Sequence, residues 1–269
     1  METAQLLQID SVERAPVAIF VATGAEAKPL CRALRGTRVA SGRSGPVERI
    51  ELDGRPLLVV RTGIGQANAE TAARRLLDAM PVSAALSVGL AAGLSPQLRS
   101  GDVIVGERVI LPRETATTPA NLASDPALQE WVLRLLRRSG DRHDRGGIVT
   151  VERIILTAEE KRGLAARSGA IAADMESGAI AAAATARGIP FLAIRAILDP
   201  AHEALTIAFE RFLDVRGEPR WPQLCRYLLT HPLSLPSLVS LGLRTQAACV
   251  RLGHLLRGLS TIPGRGEKI

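Results

Sequence analysis

Val17–Thr23 is a short apolar run that stops at Gly24, and Ala25–Leu34 behind it has helical composition. This is the pattern of a buried strand feeding a helix, and it places Glu26 at the strand-to-helix turn. Arg49–Val60 reads as two strands joined by Asp53-Gly54, a tight-hairpin dipeptide, with the second strand running into Thr62-Gly63-Ile64-Gly65. A helix over Ala67–Met80 follows. Ser83–Val88 is a further apolar strand ending in the glycine-rich turn Gly89–Gly93, and Asp102–Val109 is another after Ser100-Gly101. The stretch Leu111–Gly146 is polar and Thr-rich, then basic, which predicts a loop plus an amphipathic helix around Ala127–Arg138. Gly147–Leu156 and Ile171–Ala173 read as strands. Met175–Arg187 reads as an Ala-rich helix closed by Gly188, and Phe191–Ile197 as a late buried strand delivering Asp199 at its carboxyl end. Strands alternating with helices predict an α/β fold with a mixed or parallel sheet. Ligands of such sheets gather outside the carboxyl ends of strands, so Glu26, Gly63, Gly89–Gly93, Glu176 and Asp199 are expected to converge there.

With 269 residues, 46% of them apolar, the chain can bury one large domain with an appendage. Lys and Arg number 34 against 27 acidic residues, a formal charge of +7 that favours anionic partners. Aromatic residues make up only 3%, too few for the stacking platforms of single-strand nucleic-acid binders. Cys31, Cys225 and Cys249 lie far apart without a CxxC pair, so neither a disulfide framework nor a zinc site is expected. A reducing compartment fits. The first sixteen residues carry Glu2, Asp10 and Glu13 and no apolar core of a secretory signal, so the catalytic part is expected in the cytoplasm. Tyr227–Leu243 is uncharged, but Pro232 and Pro236 break it and it contains His231, so it falls short of a bilayer span.

The composition shifts near residue 215, dividing the chain into a catalytic domain over 1–215 and a basic, Leu-rich helical extension over 216–269. From Gly217 onward, seven basic residues face two acidic ones. Leu224, Leu228, Leu238, Leu241, Leu252, Leu255, Leu256 and Leu259 recur there at roughly helical spacing. Such a segment either lies on an anionic membrane surface or packs on the parent domain or a second subunit.

Three carboxylates stand at apparent strand ends, and each also has an ordinary structural explanation. Glu26 suits the positive end of a helix, Asp199 suits the turn before Pro200, and Glu176 suits a solvated helix face. The glycine turns TGIG and GLAAG match neither a dinucleotide fingerprint nor a phosphate loop, so NAD and ATP are not indicated. No metal or organic cofactor is called for.

Order and spacing add more. Ala173-Asp174-Met175-Glu176-Ser177-Gly178-Ala179-Ile180, then Gly188-Ile189-Pro190-Phe191, then Ile194-Arg195-Ala196-Ile197-Leu198-Asp199, resembles the nucleoside phosphorylase and nucleosidase superfamily. The 5′-methylthioadenosine/S-adenosylhomocysteine nucleosidase branch is the most similar. Gly24-Ala25-Glu26, the TGIG turn with Asn68, Val88–Leu94 and Ser100-Gly101-Asp102-Val103 extend the resemblance over Val17–Leu205. It implies a three-layer α/β fold with a central mixed sheet, generally dimeric, that cleaves N-glycosidic bonds. By the same resemblance Asp199 is the general acid toward a purine N7, its pKa raised by burial or by neighbouring Glu176 and Glu26. Glu26 activates the attacking water. Glu176 holds the ribose hydroxyls, Met175 packs on the sugar and Arg195 orients carboxylates. Gly89, Leu90 and Ala91 line the substrate, and main-chain groups near Ile154 and Ile155 read the purine.

The chain departs from the family pattern at Leu198, where serine is common, and at Leu90 and Ile154, which lack the usual hydroxyl and aromatic; the pocket becomes more apolar. Arg61 and Arg99 are the candidates for a phosphate site, and water is the favoured nucleophile. The basic Leu-rich extension on this core resembles the hopanoid-associated branch, which implies adenosylhopane as substrate and contact with the inner face of the cytoplasmic membrane. Methylthioadenosine or S-adenosylhomocysteine is the alternative substrate, phosphorolysis the alternative reaction, and a nucleoside-binding, membrane-associated scaffold the non-enzymatic alternative. His202 is the histidine nearest the proposed site.

Overall fold

The computed structural model describes residues 15–38, 47–111, 121–205, 220, 223, 226, 230–231 and 235–261. Strand β1 (Val17–Val21) feeds helix α1 (Gly24–Leu34); β2 (Thr37–Arg38) and β3 (Val47–Leu52) precede β4 (Arg55–Arg61). Asp53 and Gly54 both have positive φ, as the two-residue hairpin between β3 and β4 requires. Helix α2 (Gln66–Ala79), β5 (Ala84–Gly93), β6 (Val103–Ile110) and β7 (Asn121–Ala123) follow. Next come α3 (Pro126–Ser139), β8 (His143–Thr150), α4 (Ala158–Ser168), β9 (Ala172–Asp174), α5 (Ser177–Thr185) and β10 (Phe191–Asp199). Helix α6 (Leu235–Leu256) ends in a 3₁₀ turn, Arg257–Thr261.

The ten strands form one mixed sheet in the order β10-β6-β8-β9-β5-β1-β4-β3-β2, with β7 on β6 and a further pairing of β10 with β5. β1 runs parallel to β4 and β5, and β10 runs parallel to β5. β5 is long enough to serve two neighbours: Ala84–Ser87 pair with β1, and Ala92 and Gly93 pair with β9. Because β10 joins both β5 and β6, this half of the sheet closes on itself.

Helices cover both faces, which explains why β1, β5 and β10 are apolar at nearly every position. Val17, Ile19, Leu86, Val88, Leu192 and Ile194 pack with α1, α3 and α6. Their neighbours Ala18, Phe20, Ala85, Phe191 and Ala193 pack with α2 and α5. This is the three-layer α/β arrangement that the sequence implies.

Three elements differ from the sequence reading. The segment Gly89–Gly93 is strand, since Gly89–Ala92 lie in register with Arg195–Asp199 of β10. Its glycines serve close approach: a Cβ on Gly89 would stand 3.0 Å from Glu26 Oε1, and one on Gly93 3.2 Å from Ile197 Cγ2. β8 starts at His143 and ends at Thr150, because its polar first residues pair with β6 through backbone groups that hydropathy does not report. Ile154 and Ile155 therefore lie in irregular chain beyond the strand. Helix α4 is the third difference. It has little apolar contrast, but Thr157 and Glu160 form a reciprocal capping box at its start.

The second half of α6 belongs to the main core. Ala248, Cys249, Leu252, Leu255, Leu256 and, beyond the helix, Leu259 are buried against α1 and α3. Gly253 allows the close crossing, since a Cβ there would lie 2.5 Å from the Leu30 carbonyl oxygen. Three arginines bind inward: Arg257 Nε donates to Ala33 O at 2.6 Å, Arg251 Nη1 to Gly101 O at 2.6 Å, and Arg244 pairs with Glu203 at 2.8 Å. Packing on the parent domain thus accounts for Leu252, Leu255, Leu256 and Leu259. Leu235, Val239 and Leu243 on the first half of α6 stay exposed. The boundary at 215–216, Leu224, Leu228 and Cys225 lie outside the described residues, as do 1–14 and 112–120. Among the described residues no helix is long and apolar enough to cross a membrane, and no cluster of His, Cys, Asp and Glu is arranged to hold a metal ion.

Candidate active site

Thr23 and Glu26 form a capping box at the start of α1. Thr23 N–H and Oγ1–H donate to Glu26 Oε2 at 2.9 and 3.1 Å, while Leu90 N–H donates to Oε1 at 3.3 Å. The helix-start explanation for Glu26 thus holds for one oxygen, and the other is turned toward β5. Burial raises the Glu26 pKa, opposed by the Thr23 N–H and the charge of Arg195.

Glu176 occupies the N-cap position of α5, just beyond the carboxyl end of β9, but its side chain makes no capping bond to the helix. Its Oε1 accepts a hydrogen bond of 2.8 Å from Gly65 N–H. Gly65 has a φ of 89°, so the TGIG turn presents its amide to Glu176 at a conformation suited to glycine. Burial and the adjacent Asp174 charge push the Glu176 pKa up to about 8.

Arg195, on β10 opposite Gly89, is buried and fully engaged. Its Nε donates to Asp174 Oδ2 at 2.9 Å, and its Nη2 donates to Ser87 Oγ at 2.7 Å and Ser177 Oγ at 2.9 Å. Thr150 Oγ1 donates to Asp174 Oδ1 at 2.9 Å and accepts from Gly178 N–H at 2.9 Å, completing a buried network. The hydrogen-bonded carboxylate partner of Arg195 is therefore Asp174, while Glu26 and Glu176 feel its charge. Glu26, Thr62, Gly89, Leu90, Glu176 and Arg195 line a narrow cleft.

Asp199 ends β10, four residues beyond Arg195, with its backbone opposite Ala92. Its side chain meets the buried Lys161 of α4, Nζ to Oδ2 being 2.5 Å. Lys161 Nζ also donates to the carbonyls of Pro200 and Glu203 at 2.8 Å each. Burial pushes the Asp199 pKa up to about 6, with Lys161 pulling it down and Glu203 pushing it up. Here the sequence reading is corrected: the carboxylate neighbour acting on Asp199 is Glu203, and the charge of Glu26 acts on Glu176.

The other candidates are dispersed. Met175 is half-buried between Asp174 and Glu176. Ala91 packs into the α2 and α5 side of the core, and Ile155 packs among Leu94, Val149, Ala170 and Ala173. Ile154 is half-buried, Arg61 is half-buried at the end of β4, and Arg99 and His202 are exposed. Neither Arg61 nor Arg99 is among the described residues that line the cleft. Sequence reasoning missed Lys161, Asp174, Ser87 and Thr23 as structural participants. Only the Thr23-x-x-Glu26 spacing carried a local signal.

A family model described as "Phosphorylase superfamily" matches residues 16–220. The chain belongs to the phosphorylase superfamily. A 5′-methylthioadenosine/S-adenosylhomocysteine nucleosidase of Geobacillus kaustophilus is 30% identical over 186 residues, which cover 62% of this chain and 77% of that protein. A protein of the same name from Tolumonas auensis is 28% identical over 183 residues, 63% of this chain and 80% of the relative. The crystal structure of the Neisseria meningitidis nucleosidase of that name, in complex with methylthio-immucillin-A, shares the fold of this superfamily member. Its TM-score is 0.66 at 24% identity, covering 89% of this chain and 99% of that one.

Proposed function

We propose that the protein hydrolyses the adenine N-glycosidic bond of a 5′-substituted adenosine, with 5′-methylthioadenosine and S-adenosylhomocysteine as the substrate class. The observation that carries this reading is a pair of buried carboxyls with raised pKa values, Asp199 at the end of β10 and Glu26 beside Gly89 and Leu90. The names of the relatives over the shared core support it.

In this mechanism protonated Asp199 gives its proton to purine N7, and the C1′–N9 bond breaks with its electron pair leaving on the base. Glu26 takes a proton from water as the water oxygen bonds to C1′, which has become cationic. Glu176, with a pKa near 8, retains a proton at neutral pH and so both donates to and accepts from ribose hydroxyls. Water is favoured over phosphate because Arg195, the cation among the described residues lining the cleft, is already committed to Asp174, Ser87 and Ser177.

The test is chromatographic measurement of adenine released from methylthioadenosine in phosphate-free buffer. Asp199→Asn is expected to lower kcat by roughly 10²–10⁴-fold, the usual worth of a positioned acid, and Glu26→Gln to slow hydrolysis as well. Undiminished release by Asp199→Asn removes Asp199 from the acid role. Ligand binding with no turnover in the unaltered protein instead supports the scaffold reading.

A second reading, adenosylhopane as substrate, is favoured by the surface beyond Asp199. A cleft of about 340 Å³ lies between Glu203–Leu205 and the first half of α6, and Leu235, Val239 and Leu243 are exposed along that half. A lipid-linked nucleoside would bring this edge to the membrane surface, and contact of 216–269 with the inner face of the bilayer belongs to the same reading, whereas a homodimer is expected with either substrate. Competition between adenosylhopane in mixed micelles and methylthioadenosine separates the two substrates.

A further inference from the structure

We propose that Lys161 is the positioning residue for Asp199: its ammonium pins Oδ2, turns Oδ1 toward the purine, and stabilises the carboxylate left when the proton has gone. The inference rests on the reading of Asp199 as the proton donor.

The geometry is specific. Lys161 is fully buried, and a buried ammonium is retained only where its hydrogens are satisfied and its charge is paired. Its contacts converge on one short piece of chain: the Asp199 carboxylate and the backbone carbonyls of Asp199, Pro200 and Glu203. One side chain from α4 thus fixes both the acid and the turn that follows it. A lysine needed only to hold the 199–203 turn would be served by the three carbonyls, and the carboxylate contact, with Nζ 2.5 Å from Oδ2, is the one that pairs its charge and bears on chemistry.

The proton balance gives the contact its purpose. Before the step Asp199 carries a proton on Oδ1 and Lys161 remains an ammonium. As that proton passes to N7, Asp199 becomes a carboxylate beside a cation in a dry site, where the attraction is far stronger than in water. Lys161 keeps its three hydrogens throughout, and Asp199 regains its proton from solvent after adenine leaves. Among the described residues the charged groups facing Asp199 are Lys161 from α4 and Glu203 from the following turn, with Arg244 of α6 neutralising Glu203 from outside. Lys161 opposes burial and Glu203, keeping Asp199 acidic enough to give up its proton.

The experiment compares pH profiles of kcat/KM and kcat for adenine release by wild type, Lys161→Gln, Lys161→Arg, Asp199→Asn and the Lys161→Gln/Asp199→Asn double variant, all of full length. Removing the cation favours the protonated form of Asp199, so the basic limb of the Lys161→Gln profile moves to higher pH, by roughly one unit. Its kcat falls at least about tenfold with KM little changed, since the loss lies in the proton-transfer transition state. Lys161→Arg, with the charge kept and the geometry changed, retains the wild-type limb at a reduced kcat. In the Asp199→Asn background Lys161→Gln costs less than about twofold, because residues acting as a unit are not additive.

A Lys161→Gln limb coincident with wild type, or losses that simply add in the double variant, overturns the positioning role and leaves Lys161 as a clamp on the turn. Should Lys161→Gln fail to fold, Lys161→Arg decides: full wild-type kcat overturns the proposal. If Asp199→Asn itself turns over at the wild-type rate, the acid assignment has failed instead.

Discussion

Glu176→Gln should make the protein less active and, above neutral pH, more stable. The carboxyl of Glu176 is held against Gly65 N–H, beside Asp174, with a folded-state pKa of about 8 against an ordinary 4.5. A carboxyl whose pKa is raised by folding ionises first in the unfolded chain. Its penalty is therefore small below the unfolded pKa, grows as pH rises from about 4.5, and levels off above about 8. Each pH unit in that window costs at most roughly 1.4 kcal/mol, or ~3–4 kcal/mol between about pH 5 and pH 8. Glu176 keeps partial contact with solvent, which brings the expected difference to about 2 kcal/mol. Glutamine retains an acceptor for Gly65 and cannot ionise, so its curve lacks this slope. Urea unfolding of both proteins at about pH 5, 6, 7 and 8 reads the effect directly as a widening gap in midpoint. Parallel stability curves over that range would refute the assignment of Glu176 as a group kept neutral by its surroundings. An active site that is less stable than its inert isostere is the ordinary cost of function.

Two further predictions concern the frame around the site. Leu252→Ala removes a fully buried side chain from the contact of α6 with α1 and α3 and should cost roughly 2–5 kcal/mol in chemical denaturation; a change below about 0.5 kcal/mol would mean that α6 is not seated there. Arg195→Lys replaces a fork that holds Asp174, Ser87 and Ser177 with a single ammonium and should lower stability by about 2–4 kcal/mol, while retention of wild-type unfolding midpoints would count against the network.

Much of the fold is legible in the sequence because buried strands and helix ends announce themselves locally. The runs at Val17–Val21 and Phe191–Ile194 are apolar on both faces because helices cover both sides of the sheet. Asp53-Gly54 is a hairpin because few other dipeptides accept two consecutive positive φ values. Gly89–Gly93 is misread as a turn for an equally physical reason. Glycine marks a need for space or for positive φ, and the composition does not say which; pairing with β10 and the nearness of Glu26 make it space. The C-terminal leucines show the same limit: a stripe at helical spacing states that a face will be covered, and α1 decides what covers Leu252, Leu255 and Leu256.

For the candidate site, the sequence by itself determined which residue types stand at which strand ends: Glu26 after β1, Glu176 after β9, Asp199 at the end of β10. It determined that Arg195 and Asp199 share one strand, and the order of motifs that marks the superfamily. Tertiary structure alone decided the partnerships. Lys161 and Asp199 are 38 residues apart in the chain, and Glu176 and Gly65 are 111 apart. Nothing in either local sequence specifies these encounters. The pKa of a carboxyl depends on the burial and charges that distant segments bring to it, so Asp199 near 6 and Glu176 near 8 are properties of the folded chain. Residue identity sets what chemistry is available, and long-range packing sets which groups meet and in which protonation state.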